Sequence, residues 1–246
     1  MSDAIVLTDL HKAFGKQVVL NGIDLHVPEG QTFVLLGRSG TGKSVLLKLI
    51  VGLQKPDSGS IRVHEKDVTS LPIEELNDVR RTIGFLFQDG ALYDSLTLGQ
   101  NVAFPLRRQE GMNEKEQHDH ARELLAQVGM EKDFDKLPSE ISGGMKKRAG
   151  LARALALNPK ILLFDEPTSG LDPITAHEIN DLILRLHGER KTTAVVVTHD
   201  LRGAHDVADR VALIHEGNIV IEGKYDELKK SKEPIVAQFF KQEGRN

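Results

Sequence analysis

Apolar residues occur along this chain in short continuous runs separated by stretches of helical period. The runs are TFVLLG, IGFLFQ, KILLFDEP, TAVVVTH and VALIHEG. Strands that are apolar at every position are typical of a mostly parallel sheet buried on both faces. The pattern therefore predicts an α/β fold.

Two regions show period-two alternation instead. Near the N-terminus, IVLTDLHKAF and QVVLNGIDLHV precede the turn PEGQ, and near the C-terminus VALIHEGNIVIEG reads as a hairpin. Alternation bounded by turn residues indicates antiparallel strands. We expect a small N-terminal antiparallel sheet and a hairpin that closes the main sheet.

Helical periodicity dominates the middle of the chain, in EKEQHDHARELLAQVGM and GGMKKRAGLARALALNP. We predict a single domain over residues 1–246, in which an α-helical subdomain at 88–159 is inserted into an α/β core. The core comprises 1–87, with the antiparallel β subdomain, and 160–228. A C-terminal tail, 229–246, contains a small apolar cluster and is expected to pack as a terminal helix.

Composition narrows the class of protein. The 246 residues include no cysteine and carry a formal charge of −4. Disulfides and thiolate metal sites are thereby excluded, a reducing compartment is favoured, and a broad nucleic-acid footprint is disfavoured. We found no apolar run near the ~20 residues that span a bilayer and no N-terminal signal pattern. A cytoplasmic protein, held at a membrane only through other proteins, is expected.

The segment GRSGTGKS joins a predicted strand to a predicted helix and matches G-x-x-x-x-G-K-[ST]. In this setting glycines expose backbone N–H groups to an anion, the helix dipole adds positive charge, and Lys43 adds a point charge. Ser44 can bind Mg²⁺ through its hydroxyl. The alternative is a plain glycine turn with Lys43 in solvent, and the full match favours a phosphate site.

A second candidate site ends the run KILLFDEP. Two adjacent carboxylates at the end of a buried strand are costly without a cation or a reacting water nearby. Asp165 can hold Mg²⁺ through water, and Glu166 can orient or deprotonate an attacking water. The alternative is a strand end that simply reaches solvent.

The third segment is ISGGMKKR. Ser142 is a good helix N-cap, and Gly143 and Gly144 leave backbone N–H groups bare. Cations are unfavourable at a helix start, yet Lys146, Lys147 and Arg148 follow at once. We interpret this conflict as a sign of a bound anion; a solvated basic turn is the alternative.

These three segments, with Gln88 and His199, make the chain resemble the nucleotide-binding subunits of ABC transporters over nearly its whole length. The resemblance implies the ligands ATP and Mg²⁺, a P-loop core with an antiparallel β subdomain and an inserted α-helical subdomain, and ATP hydrolysis. It implies catalytic roles for Glu166 as general base, His199 at the γ-phosphate, Lys43 and Gln88, and metal-binding roles for Ser44, Gln88 and Asp165.

The same resemblance implies which residues bind the nucleotide. Phe14 matches the aromatic residue that stacks on adenine, although alone it would be taken for a core residue, as His199 would be taken for a strand-end cap. The remaining nucleotide contacts belong to the Walker A loop (Gly37 to Ser44) with the following Val45, to the signature (Ser142 to Gly144) and to the D-loop (Ser169 to Asp172). They are Gly37, Arg38, Ser39, Gly40, Thr41, Gly42, Lys43, Ser44, Val45, Ser142, Gly143, Gly144 and Asp172.

Two positions depart from the family pattern. Met145 stands where the signature usually ends in Gln, and Val45 stands where many relatives carry Thr or Ser. The longer segments GKSVLLKLIVGL, LFQDGALYDSLTLGQNVAFPL and ISGGMKKRAGLARALAL resemble the ATPases of Mce- or Mla-type lipid-trafficking systems. That subfamily implies phospholipid or another lipid as cargo, with periplasmic Mce-type proteins as further partners.

The family resemblance also implies assembly. Each ATP would lie between the Walker A loop of one copy and the signature of another, which makes the protein a homodimer on the cytoplasmic side of the inner membrane. Residues 96–106 would meet integral membrane permease subunits; alternatively Val102, Phe104 and Leu106 belong to the core of the helical lobe. Other interpretations are a soluble ABC ATPase for iron–sulfur assembly, or a transporter of non-lipid cargo.

Overall fold

Two β-sheets organise the chain, which this computed structural model describes over residues 2–108 and 111–243. The first sheet is antiparallel, and its strands are β1 (Asp3–Phe14), β2 (Gln17–Pro28), β4 (Ser58–Val63) and β5 (Lys66–Asp67). They lie in the order β2-β1-β4-β5. The predicted N-terminal antiparallel sheet is thus confirmed, with a second pair of strands at its edge.

The second sheet forms the centre of the molecule. Its strands are β3 (Thr32–Leu36), β6 (Ile83–Leu86), β7 (Ile161–Asp165), β8 (Thr193–Thr198), β9 (Arg210–His215) and β10 (Asn218–Gly223). Their order is β10-β9-β3-β8-β7-β6, and all pairings are parallel except that of β9 with the edge strand β10. The five continuous apolar runs supply the parallel strands, so the α/β prediction is confirmed.

The central sheet separates two hydrophobic cores. Along β3, Val34 and Leu36 face a core shared with the helices, whereas Phe33 and Leu35 face a core shared with the N-terminal sheet. Successive side chains of a strand point to opposite faces. Each parallel strand must therefore be apolar at every position, which is why its sequence does not alternate.

Helices connect these strands. The α-helices are α1 (Lys43–Ile50), α2 (Ile73–Arg81), α3 (Leu98–Ala103), α4 (Glu114–Gln127), α5 (Gly143–Ala154), α6 (Pro173–Arg190), α7 (Leu201–Val207), α8 (Tyr225–Lys229) and α9 (Pro234–Glu243). Short 3₁₀ turns occur at Phe104–Arg108, Glu131–Asp133 and Pro138–Glu140. Among the described residues, no helix combines the length and apolar character needed to cross a membrane.

Three of these helices, α3 to α5, lie between β6 and β7 and form a helical lobe. The structure decides between two interpretations of the apolar residues in this lobe. Val102 and Leu106 are fully buried and Phe104 is half-buried, so these apolar residues serve the lobe's own core rather than an exposed surface. The reason is that α3 packs against both α4 and α5. The lobe limits at residues 88 and 159 remain a prediction.

The tail folds back on the core. Helix α9 buries Val236 and Phe239 in the same hydrophobic cluster that holds the helical lobe. This packing places the small apolar cluster of the tail against the protein, as terminal amphipathic helices commonly do.

Candidate functional site

The loop between β3 and α1 is shaped by glycines that no other residue could replace. Gly42 has φ 97°, and a Cβ there would lie 2.8 Å from Val19 Cγ1; at Gly37 a Cβ would lie 2.7 Å from Ile214 Cγ2. Gly42 is also the N-cap of α1 and offers no side-chain cap. The first N–H groups of α1 are consequently free of intrahelical partners, which is the arrangement that binds anions.

Lys43 points into this loop. Its Nζ donates to the carbonyl oxygens of Gly37 at 2.7 Å and Arg38 at 3.0 Å. It also lies 3.2 Å from Glu166 Oε1, with both side chains almost completely buried. The cation is therefore held at the mouth of the loop, where an arriving phosphate would compete with these carbonyl oxygens.

Ser44 and Asp165 form the oxygen-rich corner of the site. The Ser44 hydroxyl donates to Asp165 Oδ1 at 2.6 Å. Burial raises the pKa of Asp165, as does the neighbouring Glu166, while the Ser44 hydrogen bond and Lys43 act in the other direction. A hydroxyl beside a desolvated carboxylate fits a hard cation such as Mg²⁺, which prefers oxygen ligands. With the Gln88 side chain nearby, these residues would hold the metal.

The carboxylate of Glu166 is held by contacts with three other side chains. Its Oε2 accepts a hydrogen bond from Thr198 Oγ1 at 3.1 Å and lies 3.0 Å from His199 Nδ1, while Oε1 faces Lys43. Its backbone is left-handed, with φ 46°. A non-glycine residue in that conformation is uncommon and clusters at functional sites. The Glu166 carboxylate is thus held in a fixed orientation beside the phosphate-binding loop. Such a group is suited to orient or deprotonate a water molecule.

A cleft of about 300 Å³ joins these groups. It is lined by Phe14, Val19, Ser39, Gly40, Gly42, Lys43, Ser44, Val45, Gln88, Glu166, Ser169 and His199. Phe14 is 47% exposed, which is incompatible with a core role and leaves its ring available for stacking. Ten of the residues predicted for nucleotide, metal or catalysis thus meet in one place.

Other predicted residues lie elsewhere. Gly37 shapes the loop from behind, Thr41 donates its hydroxyl to the carbonyl oxygen of Arg38 at 2.8 Å, and Arg38 borders a separate small cavity beside α9. Asp172 caps α6, accepting the backbone N–H groups of Ile174 and Thr175 at 3.1 Å. Direct nucleotide contact by Asp172 remains a prediction.

The signature residues form a separate, exposed tip. Ser142 caps α5 by accepting the backbone N–H of Met145 at 3.3 Å, and Ser142 and Gly143 are exposed, whereas Gly144 is buried against Thr175. None of Ser142, Gly143 and Gly144 lines the cleft of their own chain. Met145 is partly buried and packs against the helical core.

Two of the basic residues after the signature have hydrogen-bond acceptors within the chain. Lys147 is buried and donates to two backbone carbonyl oxygens, and Arg148 donates to the carbonyl oxygen of Val128 at 3.1 Å and to Glu178 at 2.8 Å. Internal acceptors therefore offset the charge of Lys147 and Arg148 at the helix start, so these two cations do not by themselves indicate an anion. An anion at the signature stays a prediction.

Val19 and Ser169 of the cleft lining were not among the predicted site residues, and two residues that hold Glu166 were missed as well. Thr198 holds Glu166, and its position directly before His199 at the end of a buried strand was an available signal. Lys147 contacts the backbone of both Gln88 and Glu166, and no sequence signal separated it from its solvated neighbours.

A glycine loop on a helix N-terminus, a serine–aspartate pair and an oriented glutamate, at the carboxyl end of a parallel sheet, define a P-loop nucleotide hydrolase. A family model described as "ABC transporter" matches residues 20–169. The chain belongs to this family. Its ligands are ATP and Mg²⁺, and its activity is ATP hydrolysis.

Individual relatives agree on the ATP-binding role and differ in cargo. The chain is 44% identical to the probable ribonucleotide transport ATP-binding protein mkl of Mycobacterium tuberculosis, over 97% of this chain and 67% of that protein. It is 42% identical to the methionine import ATP-binding protein MetN of Caulobacter vibrioides, over 91% of this chain and 68% of that protein.

A solved structure shows the same architecture. The ATP-binding cassette MJ0796, in a dimeric post-hydrolysis state bound to ADP and Pi, superposes with a TM-score of 0.83 at 34% identity, covering 90% of this chain and 98% of the other. The predicted fold class, a P-loop ATPase core with an antiparallel β subdomain and an inserted helical subdomain, is confirmed.

Proposed function

We propose that this chain is the ATP-hydrolysing subunit of an ABC transporter and that it works as a homodimer closed around two ATP molecules. The observation that carries the proposal is the separation of two parts of one site. The cleft holds Lys43 and Glu166, whereas the signature tip at Ser142 and Gly143 lies outside it and is exposed. A second copy, related by a two-fold axis, supplies the missing tip, and the arrangement closes with two equivalent sites.

Each residue of the cleft then has a chemical role. The loop N–H groups and Lys43 bind the phosphates, and Phe14 stacks on the base. Mg²⁺, when bound at Ser44, Asp165 and Gln88, neutralises charge on the phosphate oxygens. Glu166 accepts a proton from the attacking water, and His199 adds a hydrogen bond near the γ-phosphate. Hydrolysis thus depends on positioning and on charge stabilisation.

Glu166 must be released for this work. Lys43 lies against Glu166 Oε1 and His199 lies against Oε2. An arriving γ-phosphate offers Lys43 and His199 a stronger acceptor, because charge-assisted bonds to phosphate are among the strongest available. Nucleotide binding therefore frees the carboxylate for the water.

Mixed dimers test the shared site. Gly143→Asp places a carboxylate at the exposed tip, and the structure leaves room for it, since a Cβ at Gly143 meets only Leu171 Cδ2 at 3.8 Å. Gly143→Ala is the matched control without charge. Lys43→Ala disables the cleft. We expect each defective variant alone to lack ATPase activity.

An equimolar, re-equilibrated mixture of Gly143→Asp and Lys43→Ala should recover about one quarter of the wild-type rate, because half of the dimers then contain one intact site of two. Gly143→Ala should remain active alone. A mixture no more active than its two components would show that the cleft and the tip act within one chain, and the dimer model would fall.

We further propose that the dimer sits on the cytoplasmic side of the inner membrane, binds integral permease subunits through the surface near residues 96–106, and moves phospholipid or another lipid, with periplasmic Mce-type proteins as partners. Support comes from the resemblance of three segments, including GGMKKRAG, to Mce- and Mla-type ATPases. A solved relative, cbiO1 from Clostridium perfringens, is described as part of the ABC transporter complex cbiONQ.

A second candidate is a cargo other than lipid, which the names of the mkl and MetN relatives favour: ribonucleotide and methionine, respectively. Purification from the native cell in mild detergent, followed by mass spectrometry of copurified proteins and lipids, distinguishes the candidates. Membrane subunits with bound phospholipid support the proposal. Stimulation of the reconstituted ATPase by methionine or ribonucleotide supports the second candidate, and a complex without membrane protein supports a soluble assembly factor.

A further inference from the structure

The buried cation of Lys147 joins two parts of the site that are far apart in sequence. Its Nζ donates to the backbone carbonyl oxygen of Gln88 and, at 3.0 Å, to that of Glu166. The side chain is 4% exposed. A buried ammonium group is costly unless it is paired with acceptors, so these two carbonyl oxygens are what keep it in place.

The surroundings of Lys147 act in opposite directions on the stability of its charged form. Burial lowers its pKa, and the carboxylates of Asp89, Asp165 and Glu166 act in the opposite direction. The cation therefore sits in a low-dielectric position and faces the acidic end of the central sheet. The attraction of these three carboxylates and the hydrogen bonds to two carbonyl oxygens offset the free-energy cost of desolvating the ammonium group.

Helix α5 contacts the loop at residues 88–91 at three positions spaced three residues apart, which are Lys147, Gly150 and Arg153. Gly150, three residues after Lys147, lets the helix approach so closely that a Cβ there would lie 3.1 Å from Gly90 Cα. Arg153, three residues further, donates to the carbonyl oxygens of Ala91 at 2.6 Å and Gly90 at 3.0 Å. Residues three apart share a helix face, so this stripe fixes the loop to α5 as one body.

Glu166 needs the support that Lys147 provides. Its left-handed backbone is unfavourable for a non-glycine residue and persists only where neighbouring groups determine it. The N–H of Glu166 donates to the carbonyl oxygen of Val197 at 2.9 Å, and its carbonyl oxygen accepts from Ser169 at 3.1 Å and from Lys147. Lys147 is the one of these three partners that belongs to the helical lobe.

We infer that Lys147 is a positioning residue for ATP hydrolysis: it ties the signature helix and the Gln88 loop to the backbone of Glu166, so that a shift of the lobe is transmitted to the catalytic carboxylate. The inference rests on the proposed role of Glu166 as general base. Lys147 is not among the residues that line the cleft, and it acts through the two backbone segments that it holds.

The test is steady-state ATPase kinetics of Lys147→Met, which keeps the length of the side chain and removes the donor. We expect kcat to fall by about 10–100-fold, the scale of a slightly misplaced catalytic group, with little change in KM for ATP. Lys147→Arg retains cationic donors and should restore part of kcat. Lys115→Met, on the exposed face of α4, is the control and should match wild type. All assays are run well below the unfolding temperature of each variant.

A double variant separates this inference from the role of Glu166. If Lys147 acts through Glu166, adding Lys147→Met to Glu166→Gln should cause little further loss of kcat; independent, multiplicative losses would overturn the inference. Normal kcat in folded Lys147→Met would also overturn it, even with an inactive Glu166→Gln. Active Glu166→Gln would instead refute the general base.

Hydrogen exchange in the wild-type protein provides a measurement that does not depend on a variant's folding. On addition of Mg²⁺ and a non-hydrolysable ATP analogue, amides of residues 88–91 and of α5 should change their protection together. Protection that changes in α5 alone would show that the loop and the helix are not one body and would contradict the inference.

Discussion

Replacing Glu166 with Gln isolates proton transfer from orientation. The amide oxygen can take the place of Oε1, which lies 3.2 Å from Lys43 Nζ. The amide NH₂ then takes the place of Oε2, beside Thr198 Oγ1 at 3.1 Å and His199 Nδ1 at 3.0 Å, and both of these atoms can accept a hydrogen bond. The new side chain therefore keeps these contacts and loses its capacity to accept a proton, together with the long hydrogen bond that Oε2 accepts from the backbone N–H of His199 at 3.4 Å.

The expected decrease in kcat follows from the loss of the general base. A positioned general base contributes about 10²–10⁴ in rate, equivalent to about 2.7–5.4 kcal/mol of barrier at 1.36 kcal/mol per decade. We expect kcat to fall by this factor while ATP affinity is preserved, because the phosphate-binding loop and Lys43 are untouched. In the presence of Mg²⁺-ATP, this variant should then accumulate as the closed dimer.

Phosphate release under saturating ATP measures the rate, titration calorimetry measures affinity, and size-exclusion chromatography with Mg²⁺-ATP measures dimer formation. Glu216→Gln is the matched control, since Glu216 shares the left-handed backbone, with φ 46°, but its side chain is 85% exposed. A Glu166→Gln variant that hydrolyses ATP within a few-fold of wild type would refute the assignment of the base.

Three further substitutions test the remaining parts of the cleft. Lys43→Ala should weaken ATP binding about 10–100-fold, since a hydrogen bond to a charged group contributes about 1.5–3 kcal/mol, and unchanged affinity in calorimetry would contradict the phosphate role. Asp165→Asn should raise the melting temperature without Mg²⁺ and nucleotide at neutral pH, by about 2–4 °C per kcal/mol. Burial raises the pKa of Asp165, so its stabilising protonated form is lost as pH rises through that pKa; the gain should shrink in acid, and a gain that grows in acid would exclude this cause. Phe14→Ala should weaken ATP binding by about 1–3 kcal/mol through lost stacking, whereas Val18→Ala, at a 62% exposed position outside the cleft, should not; equal effects would remove the stacking role.

The class of fold and the chemistry of the phosphate loop could be predicted from the amino-acid sequence alone. Continuous apolar runs mark doubly buried strands because both faces of the central sheet are covered, and Gly42 with Lys43 marks a loop in which only certain residues fit. These are local constraints, expressed within a few neighbouring residues. Ser44, Asp165 and Glu166 could be predicted for the same reason, since each ends or begins a recognisable element.

The directions of long side chains, and the segments that share a surface, could not be predicted in this way and became visible in the folded chain. Lys147 was indistinguishable from Lys146 in sequence, yet it is buried between Gln88 and Glu166 because α5 packs on a loop that lies 59 residues earlier in the chain. Val102 was equally ambiguous between an exposed and a core position until α3 was placed against its neighbours. A side chain's partners across the fold depend on packing between distant elements, and no local pattern of polar and apolar residues encodes that packing.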